Sequence, residues 1–142
     1  MKDAAQRAEF GRFAEERAAE EMLLRGYIVR ERNWRPKNSH LEVDIICQQD
    51  DTIIFVEVKA RNPEDEDPAE AVDEKKQRRL VRAAEIYLRQ QQYDFYYRFD
   101  IVTVTGTMEE YVLDHIEDAF LPPLTARDEI VPDFLVYREN SG

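Results

Sequence analysis

Apolar positions change their period several times along the chain, and each change marks an element. Phe10, Ala14, Ala18 and Met22 recur at four-residue steps with Phe13 beside them. That spacing stacks them on one face of a helix from Asp3 to about Arg25. Asp3 can cap its start and Gly26 can stop its end. Residues 27–34, YIVRERNW, read as a first strand, and 35–40, RPKNSH, as a turn built on Pro36 and Asn38. Residues 42–60 read as a β-hairpin. Val43, Ile45 and Ile46 precede a short polar break, and Ile53, Ile54, Phe55, Val56 and Val58 follow it. Runs this continuous suit strands covered on both faces. A loop at 62–70 leads to a helix from about Val72 to Gln91, with Leu80, Ala83, Ala84, Tyr87 and Leu88 inward. A strand at 97–104 ends near Gly106, and 111–116, YVLDHI, forms a short last strand. The order α-β-β-β-α-β, with that short strand after it, predicts an α/β fold: a mixed sheet flanked by helices. Residues 1–120 would form one domain. Residues 121–142, with Pro122, Pro123 and Pro132, read as an irregular C-terminal appendage.

Three charges break the hairpin pattern: Asp44, Glu57 and Lys59. A charge within a covered strand costs several kcal/mol unless it is paired or bound to metal. If Asp50-Asp51 is a two-residue turn, Gln49 pairs with Thr52 and Asp44 falls opposite Glu57, with β-carbons about 5 Å apart. Two carboxylates at that spacing raise one another's proton affinity. A divalent cation relieves them, and Mg²⁺ is typically held by one or two carboxylates plus waters and phosphate oxygens. Mn²⁺ would serve equally. Lys59 shares the face of Glu57 and could steady an attacking water or offset phosphate charge. The plainer reading is two surface acids and a surface lysine on an ordinary hairpin. The placement of Asp44 inside apolar strands weighs against it.

The net charge of −11 taken alone argues against a nucleic-acid partner. Its distribution qualifies that. Residues 62–74 hold seven acids and no base, whereas 75–89 hold six bases and one acid. Lys76, Arg79 and Arg82, at three-residue spacing with Lys75 and Arg78 between, make a basic band. It is either a solvated helix face or a contact for phosphates. Arg35 adds a cation beside the expected cleft. Its neighbour Trp34 suits a core or lid role better than stacking on a splayed base. Cys47, the only cysteine, is expected to be a buried free thiol. His40 and His115 are too isolated to form a ligand pair. Glu42 reads better as a strand-end acid than as an outer-shell ligand, and Asp100 as a partner of Arg98 or a strand cap. No signal peptide and no apolar run of membrane-spanning length is seen, so a cytoplasmic protein is expected.

Several motifs in order resemble the YraN-like family of small bacterial proteins, within the restriction-endonuclease-like, or PD-(D/E)XK, nuclease superfamily. They are GRFAEERA at 11–18, RGYIVRERNWR at 25–35, LEVDII at 41–46 and FVEVKAR at 55–61. AVDEKKQRRL at 71–80, RFDIV at 98–102 and HIEDAF at 115–120 complete them. Leu41 stands where the family usually carries glycine. The resemblance implies a restriction-endonuclease-like fold with Asp44, Glu57 and Lys59 in the metal-site positions. Glu15 matches an acid that related Holliday-junction resolvases bring from the first helix. It also lies on the helix face of Gly11, Ala18, Ala19 and Met22, whereas Glu16 and Glu20 suit a solvated face.

The expectation is a metal-dependent endonuclease-like protein acting on DNA, with branched DNA as the substrate class that resolvases suggest. Asp44, Glu57 and Glu15 would hold Mg²⁺ or Mn²⁺, Lys59 would assist the water, and Lys76, Arg79, Arg82 and Arg35 would contact the strand. Two symmetric cuts would call for a homodimer. The rival is a non-catalytic module that keeps the fold and binds nucleic acid or a protein, which the acidic balance favours.

Overall fold

The structure, a computed structural model, describes residues 3–64 and 72–121. Helix α1 spans Ala4–Leu24, capped by Asp3 and Gln6 in a reciprocal pair of side chain to backbone hydrogen bonds. It stops where Gly26 takes a φ of +85°, a conformation that favours glycine. Strands β1 (Ile28–Trp34), β2 (Val43–Gln49) and β3 (Thr52–Arg61) follow, then helix α2 (Glu74–Arg89) and strands β4 (Tyr96–Gly106) and β5 (Tyr111–Ile116). Helix α2 is shorter than the hydrophobic pattern predicts. The Asp73 side chain accepts from Lys76 N–H and sets its start, and Gln90 caps its end. The acidic loop lies largely in 65–71, and the expected appendage, apart from Leu121, in 122–142. Both stretches are outside the described residues.

The five strands lie side by side in sequence order. Strands β3 and β4 run parallel, joined by the crossover that contains α2, and every other neighbouring pair is antiparallel. The sheet is therefore mixed and flanked by two helices, as the pattern predicts, and is compatible with a restriction-endonuclease-like fold.

Each helix buries one face of the sheet. Phe10, Ala14, Ala18 and Met22 of α1 pack on Ile45, Cys47, Ile54, Val56, Val102 and Val104. Leu80, Ala83, Ala84 and Tyr87 of α2 pack on Ile46, Ile53, Phe55, Phe99 and Ile101. Strand β3 is thus covered on both sides, which accounts for its unbroken apolar run. Cys47 is a fully buried free thiol, pushed up to about 12 by burial and the charge of Asp100. A thiol so held stays protonated and inert. Gly106 cannot be replaced freely: its φ is +130°, and an added Cβ would lie 2.3 Å from the Glu110 carbonyl oxygen. No helix among the described residues is long and apolar enough to cross a membrane.

Candidate active site

The β2–β3 hairpin turns at Asp50-Asp51, with Asp50 at a φ of +52°, a left-handed conformation that aspartate tolerates. Gln49 pairs with Thr52 and Ile45 with Val56. Continuing that register by one residue sets Asp44 opposite Glu57. Beyond the Ile45–Val56 pair the Asp44 side chain takes a backbone donor of β3: Val58 N–H donates to Asp44 Oδ2 at 2.8 Å. Glu57 is buried, at 3% exposure, and Asp44 is half-buried.

Burial and the Glu57 charge push the Asp44 carboxyl up to about 8, against the pull of the Val58 N–H. The charge of Glu15 adds to this rise, so α1 brings its carboxyl within electrostatic reach of the pair. Glu15 is raised in turn, by burial first, then by Glu42, with Glu57 and Glu16 contributing and Arg32 opposing. Lys59 is half-buried on the face of Glu57 and lies level with Thr103 of β4. The expected acids and Lys59 therefore gather near one end of β2 and β3.

Lys76 stands apart from the band in which its spacing placed it. Its ammonium forms an ion pair with Glu57. Burial alone would lower the Lys76 pKa, but the hydrogen bond and charge of Glu57, with Asp44 and Asp73, outweigh it and raise the value. Arg79 and Arg82 are exposed on α2, as the band reading requires. Arg35 is held by Glu42, with Nε–Oε2 and Nη2–Oε2 distances of 2.9 and 2.8 Å. Glu42 is thereby engaged as the partner of a cation. Glu16 and Glu20 are surface acids, paired with Arg32 and Arg17. Leu41 packs its side chain against the α2-side core.

Among the described residues, no three His, Cys, Asp or Glu side chains are gathered closely enough to form a metal cage. Two facing carboxylates with a third acid in reach suit Mg²⁺ or Mn²⁺, whose remaining positions are filled by water and phosphate oxygens. The charge repulsion that raises Asp44 is what such a cation would relieve.

Residues 14–104 match the model of "Uncharacterised protein family UPF0102". The chain belongs to the UPF0102 family. It is 42% identical over 121 residues to a UPF0102 protein of Bacteroides thetaiotaomicron, covering 84% of this chain and 98% of that one. It is 38% identical over 120 residues to a UPF0102 protein of Myxococcus xanthus, covering 82% and 92%. UPF0102 is the YraN family, to which the motifs point. The matched segment contains Glu15, Asp44, Glu57, Lys59 and Lys76.

A second polar cluster lies on the α1 side of the sheet, and pattern reasoning found only part of it. Asp100 is fully buried and receives Arg98 at 3.0 and 3.2 Å, His115 Nε2 at 2.7 Å and the Asp118 backbone N–H at 2.9 Å. Burial opposes ionisation, but these partners, His115 foremost, hold its carboxyl below the usual aspartate range. Tyr27 accepts from Arg98 and donates to Glu117, tying the end of α1 to that of β5. The Asp100–Arg98 pair was legible as two same-face residues in one strand. The place of His115 depended on the β4–β5 register, in which it sits opposite Val102. His40 is exposed on the turn before β2.

Proposed function

We propose that this site is a metal-dependent phosphodiesterase site acting on DNA, making the protein an endonuclease. The observation that carries the reading is the facing of Asp44 and Glu57 across β2 and β3, with Lys59 on the Glu57 face and Glu15 in electrostatic reach. The restriction-endonuclease-like resemblance supports it, and the resolvase likeness of Glu15 points to branched DNA and a homodimer.

Asp44 and Glu57 would hold Mg²⁺ or Mn²⁺ directly, with Glu15 of α1 adding its charge and reaching the ion through water. Such an ion would supply charge stabilisation to the scissile phosphate and lower the pKa of a water near it. The chain's own residues do the rest. Lys59 offers its ammonium to the phosphate oxygens, where negative charge grows in the transition state. Arg79 and Arg82 hold backbone phosphates at a distance from the reacting centre. Arg35, steadied by Glu42, presents a third cation. Lys76 balances Glu57 until a cation takes over that role.

The Lys76–Glu57 pair also favours a second reading. An ammonium set permanently on Glu57 would leave a nuclease-like fold that binds nucleic acid or a protein without cutting. Incubation with labelled single-stranded, duplex, flapped and four-way DNA, with Mg²⁺ or Mn²⁺, separates the two. Metal-dependent cutting that Glu57→Ala abolishes supports the enzyme. Binding without cutting of any substrate supports the module.

A further inference from the structure

A cleft of about 500 Å³ opens between the end of β1 and the outer face of α2, lined by Trp34, Arg35, Pro36, Lys37, Ile86 and Gln90. Its size suits one nucleotide. Trp34 packs on the α2-side core, as expected, and is braced edge-on against Tyr87 with ring centroids 5.1 Å apart at 87°; it is only half-buried and also lines the cleft. The guanidinium of Arg30 lies over Tyr87 in turn, 5.7 Å from the ring centre, so the wall is fixed from behind. The segment after Trp34 is equally set: Pro36 is buried, and Asn33 and Asn38 flank it at φ of +51° and +57°. Such a cleft needs little ordering when it binds.

Its chemistry is specific. None of its described lining residues is acidic, although the chain carries a net charge of −11. Arg35 and Lys37 are exposed cations, Trp34 and Ile86 are apolar, and Gln90 carries an amide that can both donate and accept. A flat ring with an anion attached fits that set. Trp34 also pairs with Val43, the residue before Asp44, and Arg35 bonds to Glu42, the residue before that. A strand held in the cleft thus leads into the Asp44–Glu57 site.

We propose that this cleft binds one unpaired nucleotide of the DNA strand, its base against Trp34 and its phosphate against Arg35 and Lys37. The proposal rests on the nuclease reading above and adds a requirement for unpaired DNA beside the cut. A base stacked within a duplex cannot give its face to an aromatic side chain in a cleft.

Trp34 is the only tryptophan, so its fluorescence reports the cleft alone. The protein is titrated with single-stranded oligothymidylate and with duplex of equal length, without metal and again with Ca²⁺. Anisotropy of a labelled strand is read in parallel. Single strands should quench Trp34 and duplex should not. Lys37→Glu, on an exposed turn, and Trp34→Ala should each weaken single-strand binding about tenfold or more, the weight of one stack or phosphate contact. Duplex binding should be unchanged. If anisotropy shows single-strand binding while the fluorescence stays constant and Lys37→Glu binds as wild type does, the cleft proposal is wrong and the nuclease reading survives. Equal quenching by duplex also overturns it. If neither DNA binds by either readout, the nuclease reading fails and takes the cleft with it.

Discussion

Lys76, in the first turn of α2, is ion-paired to Glu57, a carboxylate buried in the middle strand of the sheet. The contact places a helix cation beside the two acids that face each other across β2 and β3. It explains how a nearly inaccessible glutamate is tolerated, since a buried charge without a partner is strongly destabilising. On the proposed reading, Lys76 would compete with the metal ion for Glu57.

Removing that competitor should weaken the fold and favour the metal. Lys76→Met keeps the length of the stem and deletes the charge. With no metal, the variant should lose about 1–3 kcal/mol, less than a fully buried pair would because Lys76 is partly solvated. Mn²⁺ should then raise its melting temperature more than it raises that of wild type. An equal metal response in the two proteins would separate Lys76 from the metal site.

The basic face of α2 is now carried by Arg79 and Arg82. Reversing both to Glu should weaken binding to all DNA sequences alike and flatten its dependence on salt, as expected when phosphate contacts are lost. Titrations at several salt concentrations check this. An unchanged slope would move the contact to residues 30–37.

Lys59 has a separate test. Lys59→Ala should leave DNA affinity within about threefold of wild type and lower the rate of cutting by roughly a hundredfold, the loss expected for one charge-stabilising donor. Single-turnover assays distinguish the two effects. A loss of affinity with an unchanged single-turnover rate would make Lys59 a binding residue only.

Much of this architecture was legible because hydrophobic period and turn chemistry agree along the chain. The hairpin register followed from Asp50-Asp51 as a two-residue turn, and the facing of Asp44 and Glu57 followed from the register. Lys76 departs from the rest of the basic band for a geometric reason. Side chains three residues apart on a helix drift by about 60° per step, so Lys76, Arg79 and Arg82 cannot share one narrow face. Lys76 precedes Leu80 by four residues, and that spacing turns it inward with Leu80, Ala84 and Tyr87. The structural role of His115 has a partner that the sequence does not reveal, because Asp100 lies on the neighbouring strand and sequence separation hides such neighbours until the pairing is known. The same holds for the cleft at Trp34, whose far wall comes from Ile86 of α2 and Gln90, which caps it.

The Asp100 cluster should set part of the acid stability. Its carboxyl is held below the ordinary value, so its contribution is present above about pH 3.9 and is lost as pH falls through the lower folded value. Asp100→Asn should cost about 3 kcal/mol near neutral pH, because it leaves Arg98 without its buried partner. The gap to wild type should narrow below about pH 4. Chemical denaturation across pH checks this, and a gap that does not depend on pH would contradict the ionic account.

Thermal melts of wild type and Asp44→Asn, with and without Mg²⁺ or Mn²⁺, test the cation site most directly. The folded Asp44 carboxyl is raised to about 8, so its ionisation costs stability progressively as pH rises from near 4 and fully above about 8. Asparagine keeps an acceptor for the Val58 N–H and carries no charge. At about pH 9 without metal, Asp44→Asn should therefore match or exceed wild type by ~0.5–2 kcal/mol. Saturating metal should stabilise wild type, by roughly 2.7 kcal/mol at a hundredfold excess over its dissociation constant, and do much less for the variant. If Asp44→Asn is clearly less stable and metal shifts neither protein, Asp44 is a structural acceptor for Val58 and the site does not hold a cation.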